Sequence, residues 1–210
     1  MNLGNSHFRT PLGLIAAALA ASMMFVVGGS SAAIASGSEQ NVSAATNVAK
    51  NSAGKMKSTV KGKTSGGGTL GGTFTPLKFK NKDGVAQVKG VLDGVITNAD
   101  GSKSKFTAIR SLELKKVNGQ KLSSLATGTA ANAAACDVLN LVLGPLDLNV
   151  LGLEVHLKQV VLDIIAVPGA LLGDLLCAVA GLLSGGVLGN LLGQLVGILN
   201  DILEQLGLGV

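Results

Sequence analysis

Residues 85–96 form an alternating segment that is enclosed by two turn sequences and predicts a specific fold. All its polar residues fall at odd-numbered positions, and its even-numbered positions are apolar or glycine. A period of two is the pattern of a β-strand with one buried face. Asp83-Gly84 precedes the segment and Asp100-Gly101 follows it, and Asp-Gly pairs favour hairpin turns. With apolar segments at 74–80 and 106–117, the pattern predicts an antiparallel meander.

A second β block is predicted at 136–167, ended by Pro168-Gly169. Two leucine stripes with i, i+3, i+4, i+7 spacing follow, separated by Gly185-Gly186, and predict helices at about 170–183 and 187–206. The expected fold class is mainly β with C-terminal α. An antiparallel meander, sandwich or barrel-like sheet would precede a Leu/Gly-rich helical hairpin, in one domain over 73–210.

The N-terminus has the three parts of a secretory signal peptide over residues 1–35. A polar start with Arg9 leads into an apolar run at 12–27, and Ala33-Ile34-Ala35 supplies the small residues of a cleavage site. A membrane-spanning helix needs about 20 apolar residues, and Gly28-Gly29 ends this run too early. We therefore expect cleavage after Ala35 and a secreted or cell-envelope location.

Charge divides the mature chain into a basic half and an acidic half. Residues 36–130 carry 14 lysines and one arginine against five acids, whereas residues 131–210 carry one lysine against seven acids. Because 36–72 is rich in Ser, Thr, Gly and Lys and lacks hydrophobic periodicity, we interpret it as a disordered basic tail. Its lysines would either be simply solvated or bind an anionic envelope polymer. They are Lys50, Lys55, Lys57, Lys61 and Lys63.

Aromatic residues make up 2% of the chain, which has no Trp and no Tyr. Single-stranded nucleic acids and many sugars are recognised by stacking on aromatic side chains. We therefore expect no nucleic-acid partner, and an aliphatic core.

The C-terminal stripes could serve an interface as well as a core. Residues 175–200 carry no charge and could span a bilayer, but Gly185-Gly186 and the lack of Lys or Arg after Lys158 favour two amphipathic helices. If the small residues Gly173, Cys177 and Gly181 packed on the sheet, a second helix, a partner chain or a lipid would have to cover the leucine face. The predicted contact residues are Leu171, Leu175, Val179, Leu182, Leu188, Leu192, Leu195 and Leu199.

Two cysteines in an exported chain predict a disulfide between Cys136 and Cys177. A catalytic or metal-binding cysteine is the weaker interpretation. The sequence has no catalytic motif, no metal-ligand spacing and no cofactor-binding motif, so we expect neither an enzyme nor a cofactor. His156 is predicted to face solvent from a strand, and a polar cluster that joined it to Asp147 or Asp163 would instead favour an enzyme.

The segments 136–148 and 171–183, which contain LVLGPLDL and LLGDLLCAVAGLL, resemble the C-terminal signature of an uncharacterised family of secreted bacterial proteins with no known activity. The segments 74–76 and 90–97 resemble the same family, so the resemblance covers about 73–183. It implies a bacterial exported protein with the disulfide formed, and it supplies no site residues.

Two functions are therefore expected for an exported, non-enzymatic protein. In the first, the leucine-rich helices bind lipid or membrane, or associate with a second copy of the chain. In the second, the protein is a structural surface domain that its lysine-rich tail holds to anionic polymers.

Overall fold

The structure is a computed structural model that describes residues 45–125, 136–150, 152–185 and 190–209. The predicted signal peptide lies outside these ranges, as do residues 36–44 of the predicted tail. The elements, in chain order, are β1 (Thr46–Lys50), β2 (Gly54–Thr64), β3 (Thr69–Lys82), β4 (Val85–Thr97), β5 (Lys103–Val117), β6 (Gln120–Lys121), α1 (Leu122–Leu125), β7 (Val138–Leu143), β8 (Leu146–Val150), β9 (Leu153–Leu157), β10 (Val160–Ala166), α2 (Leu171–Gly185) and α3 (Leu191–Gln205).

Six antiparallel strands close into a barrel-like sheet in the order β2, β3, β4, β5, β7 and β10, with β10 pairing back onto β2. The predicted meander forms its β3–β4–β5 part, and Asp83-Gly84 turns the chain between β3 and β4 with both residues at positive φ. The predicted fold class is confirmed, with a closed barrel among the architectures left open by the sequence.

The barrel closes because two long strands each pair with different neighbours along their length. In β2, residues 54–59 pair with β10, whereas residues 60–63 pair with β3. In β5, residues 103–113 pair with β4, and Leu114 to Val117 pair with β7. The β8–β9 hairpin extends the sheet beyond these six strands, because β9 pairs with Gly62 to Thr64 of β2.

The core is aliphatic apart from a few phenylalanines seated against glycine. The inward positions of β4 are buried, as their alternation predicts. A side chain at Gly90 would lie 2.5 Å from the Phe74 ring, and one at Gly94 would lie 2.6 Å from the Phe106 ring. These two β4 glycines therefore make room for aromatic rings from the neighbouring strands.

The two C-terminal helices form a hairpin that packs on the barrel, α3 against β3 and β4 and α2 against β10. Leu172, Leu176, Val179 and Leu183 of α2 are buried, as are Leu195, Leu199, Ile202 and Leu203 of α3. Leu172 sits against Gly54, where an added Cβ would lie 2.5 Å from its methyl group. The helical stripes therefore complete the core of the barrel domain.

Polar side chains form hydrogen bonds with the backbone of β3 beyond the end of its pairing with β2. The Phe74 N–H donates to the buried Ser58 hydroxyl at 2.8 Å. Farther along, the Asn200 side chain accepts from the Phe79 N–H at 2.7 Å and donates to the Phe79 carbonyl at 3.1 Å. Asn200 of α3 thus takes the place of a neighbouring strand.

The prediction of a disordered tail over 36–72 is wrong for its described part. Residues 46–50 form β1, residues 54–64 form β2, and β3 begins at Thr69. In β2, small or apolar residues alternate with polar ones, mainly lysine, and the first set is buried. Pairing with β10 and β3 orders this segment despite its weak intrinsic strand propensity.

Candidate functional site

The lysines of the predicted tail lie on the outer side of β2, in two groups. Lys61 and Lys63 are exposed in the half that pairs with β3 and β9. Lys55 and Lys57 are half-buried in the half that pairs with β1 and β10, where Lys50 lies opposite Lys55 and Asp163 lies opposite Lys57. The structure therefore separates the five predicted polymer-binding lysines into two surfaces.

Cross-strand register places Lys61 and Lys63 in line with two lysines of β5. One row runs from Lys63 through Thr69 and Thr97 to Lys103. The next row runs from Lys61 through Gly71 and Val95 to Lys105. Directly paired residues share a face of the sheet, and three strand spacings of about 4.8 Å separate the lysines of each row by roughly 14 Å.

These rows form a shallow surface with lysines on both sides and small side chains between them. We call the surface made by Lys61, Lys63, Lys78, Lys89, Lys103 and Lys105 the basic face. Lys78 and Lys89 extend it along β3 and β4, where they lie directly opposite each other. Like charges in direct cross-strand pairs repel and destabilise a sheet.

Two acids near the basic face, Asp93 and Asp100, accept hydrogen bonds from hydroxyl groups, and Asp147 and Glu154 lie beyond Lys63 on β8 and β9. Asp93 accepts a hydrogen bond from the Thr107 hydroxyl at 2.6 Å. At the β4–β5 turn, the Ser102 hydroxyl and then the Ser102 N–H donate to Asp100 and hold the pKa of its carboxyl below the ordinary value. The ion pairs of Lys115 with Glu113 and of His156 with Asp147 use no lysine of the basic face.

His156 and Asp147 lie opposite each other on β9 and β8, with Nδ1 and Oδ1 2.7 Å apart. Their side chains are 59% and 82% exposed, so water competes for the contact. The prediction that His156 faces solvent is confirmed. Asp163 is not part of this pair, because its carboxylate accepts from Asn140 on β7. Such an exposed pair lacks the dry surroundings that tune acid–base catalysts.

The disulfide predicted between Cys136 and Cys177 is present, with a Cα–Cα distance of 4.7 Å. Cys136 lies two residues before the start of β7, and Cys177 lies on the exposed side of α2. The bond therefore ties the outer side of the helix to the start of a barrel strand.

The predicted contact face of the helices is largely used inside the molecule. Val179, Leu195 and Leu199 are buried, so the prediction that they form an interface with lipid or a partner is wrong. They are covered by contacts between α2 and α3 and by contacts of both helices with the barrel. Leu171 is 57% exposed. Leu175, Leu182 and Leu192 are half-buried, and Leu188 lies outside the described residues.

Where α3 begins, an open pocket of about 400 Å³ separates it from the barrel. Gly84, Val85 and Ala86 form one wall, Glu113 and Leu114 of β5 another, and residues of α1 and α3 the rest. Sequence periodicity does not reveal this pocket, because its residues come from four separate segments.

No family model, curated protein or solved structure matches the chain. The resemblance to secreted bacterial proteins therefore stays a prediction. In the described part of the chain, no helix is both long and apolar enough to cross a membrane.

Proposed function

We propose that this is an exported, non-enzymatic β-barrel domain that binds a linear anionic polymer of the cell envelope through its basic face. The observation that carries the proposal is the cross-strand alignment of Lys61 and Lys63 with Lys103 and Lys105. The N-terminal signal-peptide pattern motivates the exported location.

Charge and shape both favour a polymer over a small anion. The aligned lysines stand about 14 Å apart across the sheet, so they do not converge on one phosphate or carboxylate group. Threonine, glycine and valine lie between them, which leaves the surface low enough for an extended chain. A polymer with repeated anionic groups can contact both lysine columns at once and gain from multivalency.

Bound anions would also relieve repulsion within the protein. Lys78 and Lys89 are opposite each other, and neither belongs to an ion pair in the described ranges. A polymer phosphate or carboxylate placed between the two ammonium groups would convert a repulsive pair into an attractive one.

The proposal is tested by titrating the mature chain with linear inorganic polyphosphate and with polygalacturonate, using neutral dextran as the reference polymer. We expect binding of the polyanions that weakens as salt rises. Replacing Lys61, Lys63, Lys103 and Lys105 by Gln should remove most of the affinity and lower the slope of log K against log salt by up to about four.

A matched variant distinguishes the effect of the basic face from the effect of net charge. Gln at Lys50, Lys55, Lys116 and Lys121 removes the same four charges from positions that are not part of the basic face, although Lys55 and Lys116 lie on β2 and β5. Binding should remain close to that of the unmodified chain. Equal losses in the two quadruple variants would reduce the interaction to net charge and overturn the proposed site, as would binding of dextran.

A second candidate, contact with membrane or a second copy through α2, rests on the exposure of Leu171. It has less support because three of the eight predicted contact residues are buried in the core. Leu171→Lys should lower vesicle retention or the sedimenting mass if α2 provides that contact, and an unchanged result would count against it.

A further inference from the structure

The pocket at the start of α3 has an aliphatic interior. Ala86 of β4, Leu114 of β5 and Leu195 of α3 form its depth, and each is at most 2% exposed. Leu122 of α1 and Leu191 of α3 are half-buried at the wall. None of the lining residues that the structure describes is aromatic, so the wall offers methyl contacts and no stacking surface.

The volume of the pocket suits one short hydrocarbon chain. Small-molecule sites range from about 300 to 1,000 Å³, and this one is about 400 Å³. At roughly 30 Å³ for each group the size of a water molecule, it accommodates about thirteen such groups, which is enough for a chain of about twelve carbons. Displacing water from an apolar wall and restoring its missing contacts would stabilise the folded domain.

The polar groups of the pocket limit the headgroup. Glu113 and Ser123 are the polar side chains of the lining, and Lys115 holds the Glu113 carboxylate at 2.6 Å. The Glu113 carboxylate can accept a hydrogen bond from a ligand hydroxyl group, and the Ser123 hydroxyl can donate to such a group or accept from it. The Glu113 carboxylate would repel an anionic headgroup. A cationic headgroup would have to compete with Lys115 for the Glu113 carboxylate.

We propose that this pocket binds one neutral, hydroxyl-bearing single-chain lipid, with its chain against Ala86, Leu114 and Leu195 and its hydroxyl groups at Glu113 and Ser123. The site is independent of the basic face, because none of its lining residues belongs to that surface. Either proposal can therefore fail while the other stands.

The experiment compares three amphiphiles of equal chain length on the full chain: monododecanoylglycerol, dodecanoate and dodecyltrimethylammonium. Thermal unfolding and methyl NMR report binding. At a concentration one hundred times Kd, the monoacylglycerol should raise Tm by about 5 to 10 °C and shift the methyl signals of Leu114 and Leu195. Dodecanoate and dodecyltrimethylammonium should each bind at least tenfold more weakly.

Two variants locate the ligand. Ala86→Leu fills the depth of the pocket, and Leu192→Glu places a charge at the half-buried wall without changing a core residue. Each should weaken binding at least tenfold. Ala108→Leu is the matched control, because Ala108 lies on β5 opposite Leu92 and outside the lining.

Three results would overturn the proposal. They are no binding of the monoacylglycerol, equal affinity for either charged amphiphile, and unchanged affinity in both Ala86→Leu and Leu192→Glu. Should Ala86→Leu fail to fold, Leu192→Glu alone decides the location.

Discussion

Single polar side chains satisfy the backbone groups of β3 where its pairing with β2 ends. The β2–β3 pairing ends at Gly72, so β2 provides no backbone partner for Phe74 and Phe79 on this edge of β3. Ser58 and Asn200 provide the missing hydrogen bonds. In the residues that the structure describes, no buried side-chain nitrogen or oxygen lacks a partner. An interior built from few polar groups tolerates them because each is satisfied.

Replacing Asn200 should lower the free energy of unfolding, because its side chain makes two hydrogen bonds to the backbone of Phe79. Asn200→Ala leaves both the N–H and the carbonyl of Phe79 without a partner in a half-buried place. We expect the free energy of unfolding to fall by about 2 kcal/mol, measured by urea denaturation. Asn190→Ala is the control, because Asn190 is exposed at the start of the same helix and its side chain makes no capping bond. That variant should change stability by less than about 0.5 kcal/mol, and equal costs would contradict the assigned role.

The sequence predicts the positions of some of these residues but not of others. The exposure of His156 follows from its position between two inward residues of a strand. The role of Asn200 does not, because it depends on a β3 segment 121 positions earlier. An asparagine at the margin of a buried leucine stripe is the signal that could have identified it.

Among the strands and helices, hydrophobic periodicity predicts those whose own sequence carries the pattern. It does not predict a strand that depends on pairing with distant strands. Strand β4 and both helices follow from their own patterns of apolar residues. Strand β2 does not, because glycine, serine and lysine weaken its strand signal even though the residues alternate. Its partners β10 and β9 lie about a hundred residues away in the chain, so local patterns carry no trace of the pairing.

The disulfide should stabilise the attachment of α2. It closes a loop between residues 41 apart, which in the chain-entropy model contributes about 3 to 4 kcal/mol. Replacing Cys136 and Cys177 by Ser should lower the free energy of unfolding by that amount. Reductant should shift urea denaturation of the native chain to the same midpoint and leave the double variant unchanged. A reductant effect on the double variant would show that another cause is at work.

In the whole molecule, the distribution of charge along the sequence differs from its distribution on the folded surface. The sequence shows a basic half and an acidic half, but it does not show that lysines from β2 and β5 meet across one sheet. That arrangement depends on the register of β3 and β4 between them. The net charge of +5 therefore understates how concentrated the positive charge is on the basic face.

Repulsion between lysines should make stability depend on salt. Lys89→Gln removes one member of the Lys78–Lys89 pair and should raise the free energy of unfolding by about 0.2 to 1 kcal/mol at low salt. The gain should vanish in 1 M salt, where charges are screened within about 3 Å.

Lys82→Gln is the matched variant, because Lys82 lies opposite Val85 on the same two strands. It should change stability less than Lys89→Gln at low salt. Urea denaturation of both variants at two salt concentrations measures the difference. A gain from Lys89→Gln that persists in 1 M salt would exclude repulsion as its cause.

The closure of β2 onto β10 also has a kinetic consequence. The two strands register from Thr59 with Val161 to Gly54 with Ala166, about a hundred residues apart. Contacts so distant in the chain form late, because loop-closure entropy is lost before the pairing compensates for it. Until β10 has been synthesised, the first half of β2 therefore remains an open edge in the nascent chain. Its lysines would help to keep that edge from pairing with other chains.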